Sequence, residues 1–182
     1  AALGGLAPLV VSPEVLGGEG RQTPSETLRI AAVGIGGMGQ NYLDGCKGER
    51  VVALCDLDHK MAGKVFEKYP DATRYHDFRR MLDKEAKNFD ALIIGTPDHT
   101  HAVILLAAIQ LGKHVYCAKP VTHTIGEARK VRAAVLNAPQ LVTKTSAQSS
   151  GTEGARSTTE LLNSGVIGPM RLLGASTKAR ST

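Results

Sequence analysis

The stretch that decides the fold is LRIAAVGIGGMG, from Leu28 to Gly39. Its first half is a short apolar run of the kind that forms a buried strand, and its second half is a G-x-G-x-x-G pattern. A second apolar run, 51–54, is closed by Asp56, about 20 residues after the first glycine. A strand, this glycine pattern, a following helix and a later acidic residue together predict a dinucleotide-binding unit.

Each glycine of the pattern has a separate expected role. Gly34 permits the tight turn, Gly36 lets a pyrophosphate approach the backbone, and Gly39 lets the next helix pack closely on the strand. The amino-terminal end of that helix faces the phosphates. Asp56 is placed to hold a ribose hydroxyl and to repel a 2′-phosphate, which favours NAD. NADP stays possible because two nearby side chains, His59 and Lys60, can offset that repulsion.

The composition is that of an ordinary soluble globular domain. The chain has 182 residues, 42% of them hydrophobic and 21% charged. The formal charge of +5 does not indicate a nucleic-acid partner, because no basic block is interleaved with aromatic residues. The three cysteines show neither even pairing nor metal-ligand spacing, so no metal site is predicted. Cys55 and Cys117 end apolar runs and are interpreted as small buried residues.

From Leu28 onward, strand and helix patterns alternate, which predicts an α/β fold with a doubly wound parallel sheet of the Rossmann type. The predicted strands are 28–33, 51–55, a short one near 74–75, 90–94, 114–117 and 141–143. The predicted helices are 38–45, 59–68, 77–86, 100–111, 125–137 and 153–164. A further strand, Met170–Ser176, would open a second, sheet-containing domain. The predicted organisation is a leader and linker over 1–27, a Rossmann domain over 28–148, and the truncated start of an α+β substrate domain over 149–182.

The first residues form an apolar, uncharged segment, Ala1–Val11, which Ser12 and Pro13 then break. This segment is too short to span a membrane. It is similar to the back end of a signal-peptide hydrophobic region, which predicts export to the periplasm, with a cytoplasmic protein as the alternative.

Polar residues follow two of the predicted strands directly. Thr96-Pro97-Asp98-His99-Thr100-His101 follows the strand at 90–94, and Ala118-Lys119-Pro120 follows the strand at 114–117. Ligands of open α/β sheets lie at the carboxyl ends of the strands, so both segments are expected to shape the cofactor's edge. Each histidine alone is equally compatible with helix capping or a solvated surface. A lysine held at a strand end can polarise a substrate hydroxyl, although many such lysines are only solvated charges.

These motifs, in this order, resemble the first half of a Gfo/Idh/MocA-family oxidoreductase, the group of glucose-fructose oxidoreductase and inositol dehydrogenase. The resemblance also includes Gly112-Lys113-His114-Val115 and the run from Glu153 to Pro169. It implies that Lys119, from the family's E-K-P motif, contacts both nicotinamide and substrate. It also implies a cofactor site, with Gln148 as a polar residue near the active site. The predicted cofactor-binding residues are Gly34, Ile35, Gly36, Gly37, Met38, Gly39, Asp56, Thr96, Pro97, His99, His101, Lys119, Pro120 and Gln148.

The sequence departs from the family at Ala118, where the motif has a glutamate. The family's second-domain histidine, the expected proton acceptor, would lie beyond Thr182. The sequence is therefore interpreted as the cofactor half of an NAD(P)-dependent oxidoreductase acting on a sugar or polyol, and the full-length protein is expected to form a homo-oligomer. The alternatives are a non-catalytic nucleotide-binding module and an NAD-dependent glycoside-cleaving enzyme.

Overall fold

A computed structural model describes residues 27–147, 152–166 and 168. The leader 1–26, Gln148 and the predicted strand Met170–Ser176 lie outside these residues. The first compact unit ends at Ser146 and the second begins at Ala147. The first contains strands β1 Arg29–Val33, β2 Arg50–Cys55, β3 Thr73–Tyr75, β4 Ala91–Ile94, β5 His114–Cys117 and β6 Thr143–Thr145. Its helices are α1 Met38–Asp44, α2 Gly63–Lys68, α3 Phe78–Glu85, α4 Asp98–Gln110 and α5 Ile125–Leu136.

The six strands form one parallel sheet in the order β3-β2-β1-β4-β5-β6. This is the strand order of the doubly wound Rossmann fold, which confirms the predicted fold class. The order reverses between β1 and β4, so the carboxyl ends of these two strands mark the switch point at which such sheets bind ligands.

The sheet is covered on both faces, as the uninterrupted apolar strands predict. Alternate residues of β1 enter different cores: Ala31 and Val33 pack with residues of α3, α4 and α5, whereas Ile30 and Ala32 pack with residues of α1 and α2. The central strands are therefore packed on both faces, and the loops that follow them are attached to a well-packed sheet.

Three elements begin two or more residues away from their predicted starts, and one of them is α4, which begins at Asp98 rather than at 100. The last strand begins at Thr143 rather than at 141: Leu141 packs against the core, and Thr143–Thr145 pair with β5. Helix α2 begins at Gly63 rather than at 59. The Asp58 carboxylate accepts hydrogen bonds from the backbone N–H groups of Lys60 and Met61, so this stretch forms a turn that precedes the helix.

The second unit is described by helix α6, Glu153–Asn163, which confirms the predicted helix to within a residue. Its amino-terminal end is capped by the Thr152 hydroxyl, which accepts a hydrogen bond from the Ala155 N–H. None of the helices in the described ranges is long and apolar enough to cross a membrane.

Candidate functional site

The turn between β1 and α1 is packed against the end of β4 backbone to backbone. Gly34 has a φ of 75°, and a Cβ atom there would lie 2.5 Å from the backbone nitrogen of Thr96. A Cβ on Gly39 would collide with the carbonyl oxygen of Gly34, and one on Gly95 would lie 2.6 Å from the Gly39 Cα. These three glycines bring the turn, the helix and β4 into direct contact, as expected for Gly34 and Gly39. Gly95 was not predicted, although its place directly after an apolar strand was a usable signal.

The middle of the turn meets the end of β2. The Asp56 carboxylate accepts hydrogen bonds from the N–H of Gly36, with Oδ2 2.8 Å away, and from the N–H of Asp58, with Oδ1 2.9 Å away. A Cβ on Gly36 would lie 3.1 Å from Met61 Cγ and 3.3 Å from Asp56 Oδ2, so little space remains there. Nothing lies within 4 Å of a Cβ on Gly37, which is exposed. The backbone at Gly37 is therefore open to a ligand.

The amino-terminal end of α1 has no side-chain partner. Its N-cap residue is Gly37, no side chain caps it, and its first turn carries no acidic residue. By contrast, α3 and α5 are capped by Asp77 and Thr124. The first N–H groups of a helix lack intrahelical acceptors and carry a partial positive charge. The open backbone at Gly37 and this uncapped helix end fit the pyrophosphate of a dinucleotide.

At the end of β4, the predicted polar residues take different positions. Pro97 and His99 are exposed at the start of α4. The Thr100 hydroxyl lies 2.8 Å from both the Thr96 Oγ1 and the Pro97 carbonyl oxygen, which fixes the first turn of the helix.

His101 is buried, with 1% of its surface exposed, so it is not a solvated surface residue. Its Nε2 lies 2.6 Å from the Thr96 carbonyl oxygen, and its Nδ1 lies 2.6 Å from the Pro120 carbonyl oxygen. The ring therefore joins the loop after β4 to the loop after β5. It contributes to the predicted cleft by holding these two backbone segments together.

Lys119 follows β5 on the same edge of the sheet as Asp56 and the glycine turn. Its side chain is exposed, and within the described part of the chain its ammonium group makes no hydrogen bond or ion pair. The preceding Ala118 is buried, and its N–H donates to the Ile94 carbonyl oxygen at 2.8 Å. The Lys119–Pro120 peptide bond is cis. A free ammonium group at this edge can hydrogen-bond to an oxygen of a bound ligand.

Cys55 and Cys117 are buried, with 2% and 0% of their surface exposed. Burial raises the pKa of Cys55 and of Cys117 to about 12, so both are neutral at pH 7. This confirms that they are small buried residues. The residues that the structure describes contain no cluster of three or more side chains able to hold a metal ion.

The sheet order, the glycine turn and the acidic residue at the end of β2 define a Rossmann domain of the dinucleotide-binding type. The chain belongs to the Gfo/Idh/MocA family: the family model described as an oxidoreductase family with an NAD-binding Rossmann fold matches residues 28–146. This confirms the resemblance on which the sequence analysis relied.

Among curated proteins, the chain is 32% identical over 109 residues to inositol 2-dehydrogenase 1 of Saccharopolyspora erythraea, covering 58% of this chain and 32% of that protein. Two solved structures share the fold. The myo-inositol 2-dehydrogenase of Lactobacillus plantarum has a TM-score of 0.70 at 24% identity, over 78% of this chain and 42% of that one. The scyllo-inositol dehydrogenase of Lactobacillus casei, with bound NAD(H) and scyllo-inositol, has a TM-score of 0.69 at 20% identity, with the same coverage. The chain thus spans less than half the length of these relatives.

Proposed function

We propose that the full-length protein transfers a hydride between the carbon that bears a polyol hydroxyl and the nicotinamide of NAD. The observation that carries this proposal is the exposed ammonium group of Lys119, which has no partner among the described residues and lies on the same sheet edge as the glycine turn and Asp56. The names of the relatives support a polyol as the substrate class, since the curated relative and the two solved structures named above are inositol dehydrogenases.

Lys119 would act on the substrate oxygen. Its ammonium group would donate a hydrogen bond to the hydroxyl that is oxidised and stabilise the negative charge that develops there as the proton passes to a general base, which the family resemblance places in the second domain. Because His101 and Pro120 hold the backbone beside it, the lysine is presented from a fixed loop. The bound nicotinamide supplies the hydride chemistry.

Asp56 would select NAD over NADP. Its carboxylate directly follows β2 and would repel a 2′-phosphate. The nearby His59 ring, which could offset this repulsion, lies with Nε2 3.2 Å from the Tyr75 carbonyl oxygen and stacks on His76. These contacts hold the His59 ring against β3 and so limit its ability to offset the repulsion, whereas Lys60, the other such side chain, is exposed.

Cofactor selection is tested by calorimetric titration of this chain and its Asp56→Ala variant with NAD and NADP. We expect the variant to bind NAD about tenfold more weakly, because it loses hydrogen bonds to the ribose and to Gly36. The ratio of NADP to NAD affinity should rise. Asp71→Ala is the matched control, since it removes an exposed carboxylate at the opposite edge of the sheet. An unchanged ratio in Asp56→Ala would show that this carboxylate does not select the cofactor.

The catalytic proposal is tested by Lys119→Ala in the full-length protein, assayed with NAD and scyllo-inositol or myo-inositol. We expect kcat to fall about 100-fold or more, the usual range for a group that assists proton transfer, while NAD affinity changes little. Lys144→Ala, which removes an exposed lysine from the neighbouring strand, should keep full activity. Retained kcat in Lys119→Ala contradicts the proposed role.

One observation favours a second candidate, a nucleotide-binding module without catalysis. Position 118 holds a buried alanine where the resemblance implies a glutamate, so the lysine lacks the adjacent carboxylate of that motif. Tight NAD binding by the full-length protein, without turnover of any polyol, would support this candidate.

A further inference from the structure

The segment 118–120 is held by three hydrogen bonds that reach it from different elements. The Ala118 N–H donates to the Ile94 carbonyl oxygen of β4, and the Pro120 carbonyl oxygen meets the ring of His101 on α4. The third contact involves Lys119 itself: its backbone N–H donates to the Ser146 hydroxyl at 3.1 Å.

Ser146 is fixed in place. It directly follows β6, is 2% exposed, and its N–H donates to the Cys117 carbonyl oxygen at 3.0 Å, which extends the β5–β6 pairing. Its hydroxyl oxygen also accepts a hydrogen bond from the Tyr42 hydroxyl at 3.0 Å. Tyr42 lies on α1, the helix that begins at the glycine turn. A continuous path of two hydrogen bonds therefore runs from α1 through Ser146 to the backbone of Lys119.

The Tyr42 ring is itself held by an edge-to-face contact with Tyr116 of β5, with ring centroids 5.2 Å apart and an interplanar angle of 67°. Such contacts restrict the ring beyond simple burial. The Tyr42 hydroxyl therefore points at Ser146 from a ring with little freedom. The side chains of Tyr42 and Ser146 together set the distance between α1 and the segment 118–120, the lysine segment.

We propose that Ser146 and Tyr42 are positioning residues, which set Lys119 relative to α1 so that one NAD molecule can contact the glycine turn and the lysine together. This inference rests on the proposed role of Lys119 at the nicotinamide. Loss of either hydroxyl loosens the lysine segment and leaves the glycine turn and Asp56 intact. The consequence is confined to the nicotinamide half of the cofactor.

The test compares the Kd of NAD with that of ADP-ribose, which lacks the nicotinamide, for the chain and its Tyr42→Phe and Ser146→Ala variants. We expect NAD to bind about 3- to 10-fold more weakly to each variant, the effect of one hydrogen bond, and ADP-ribose to bind within about twofold of the parent. Tyr116→Phe is the matched control: it removes a hydroxyl from the partner ring, and that hydroxyl makes no hydrogen bond within the described residues. General destabilisation would weaken both ligands equally.

Amide hydrogen exchange supplies a second measurement that needs no ligand. The Lys119 amide should be protected in the parent and should exchange about tenfold faster in each variant that folds, whereas the Ala118 amide, bonded to β4, should not change. An unprotected Lys119 amide in the parent overturns the inference, even if both variants fail to fold. So does a parent that binds both ligands and variants that show an unchanged ratio of the two Kd values. If the parent binds neither ligand, the proposed function fails first and the inference fails with it.

Discussion

The candidate site has two sides that are held in different ways. On the glycine side, formed by the turn between β1 and α1 and by Gly95, backbone packs directly against backbone. On the lysine side, formed by the segment 118–120, the backbone is held by buried polar side chains. Gly34, Gly39 and Gly95 leave no space for a Cβ. His101 and Ser146, in contrast, each reach across from another element to bond a loop. The two sides lie at one edge of one sheet, but steric packing of the backbone holds the glycine side and side-chain hydrogen bonds hold the lysine side.

This difference has consequences for substitution. Steric exclusion between backbone atoms cannot relax by a change of rotamer, so the glycine side should fail abruptly when a side chain is added. Hydrogen bonds from side chains contribute about 1 kcal/mol each and can be removed one at a time. Each substitution on the lysine side should therefore make the position of the lysine backbone less well fixed, while the protein stays folded.

The largest effect is expected for Gly39→Ala. The new Cβ would meet the carbonyl oxygen of Gly34, and neither backbone segment can move without disturbing the sheet. We expect the free energy of unfolding to fall by about 4 kcal/mol, with loss of NAD binding. Chemical denaturation measures this. Gly63→Ala is the control, since nothing lies within 4 Å of its Cβ and it lies at the start of α2. Equal stability of the two variants would remove the distinction between the two sides.

A smaller effect is expected for His101→Ala. The change removes a ring whose two nitrogens each lie 2.6 Å from a carbonyl oxygen, and it leaves the carbonyl oxygens of Thr96 and Pro120 without their buried partner. We expect a loss of about 3 kcal/mol, with a folded protein that still binds ADP-ribose through the glycine side. His99→Ala, two residues earlier and exposed, should stay within about 0.5 kcal/mol of the parent. If His101→Ala abolished ADP-ribose binding as well, the two sides would not be independent.

The same difference explains how far the sequence predicts the site. The glycine turn, Asp56 and Lys119 lie at the ends of apolar runs, so local periodicity and one motif were enough to place them at the sheet edge. Tyr42 and Ser146 are 104 positions apart in the sequence, and no local pattern marks a contact of that range. The bounds predicted for β6 were wrong because the apolar Leu141 and Val142 favoured an earlier start, whereas the strand is the polar run Thr143–Thr145.

The smallest effect lies at the opposite edge of the sheet and tests whether the comparison is confined to the site. Asp90 accepts hydrogen bonds from the backbone N–H and the guanidinium of Arg29, and these bonds hold the pKa of Asp90 below its ordinary value. A carboxyl whose pKa is lowered on folding stabilises the protein above its unfolded-state pKa, and this contribution is lost as the pH falls through the folded-state value.

At pH 7, Asp90→Asn should therefore cost about 1 kcal/mol, a modest figure because a third of the Asp90 side chain is exposed to screening solvent. The difference from the parent should shrink below about pH 4 and vanish once the parent's carboxyl is protonated. Urea denaturation across this pH range measures it, with Asp71→Asn as the control. NAD affinity should remain that of the parent, because the pair joins the amino-terminal ends of β1 and β4, at the far edge from the cofactor. A changed NAD affinity would mean that the two edges of the sheet are coupled, and the glycine and lysine sides could then no longer be treated as locally held.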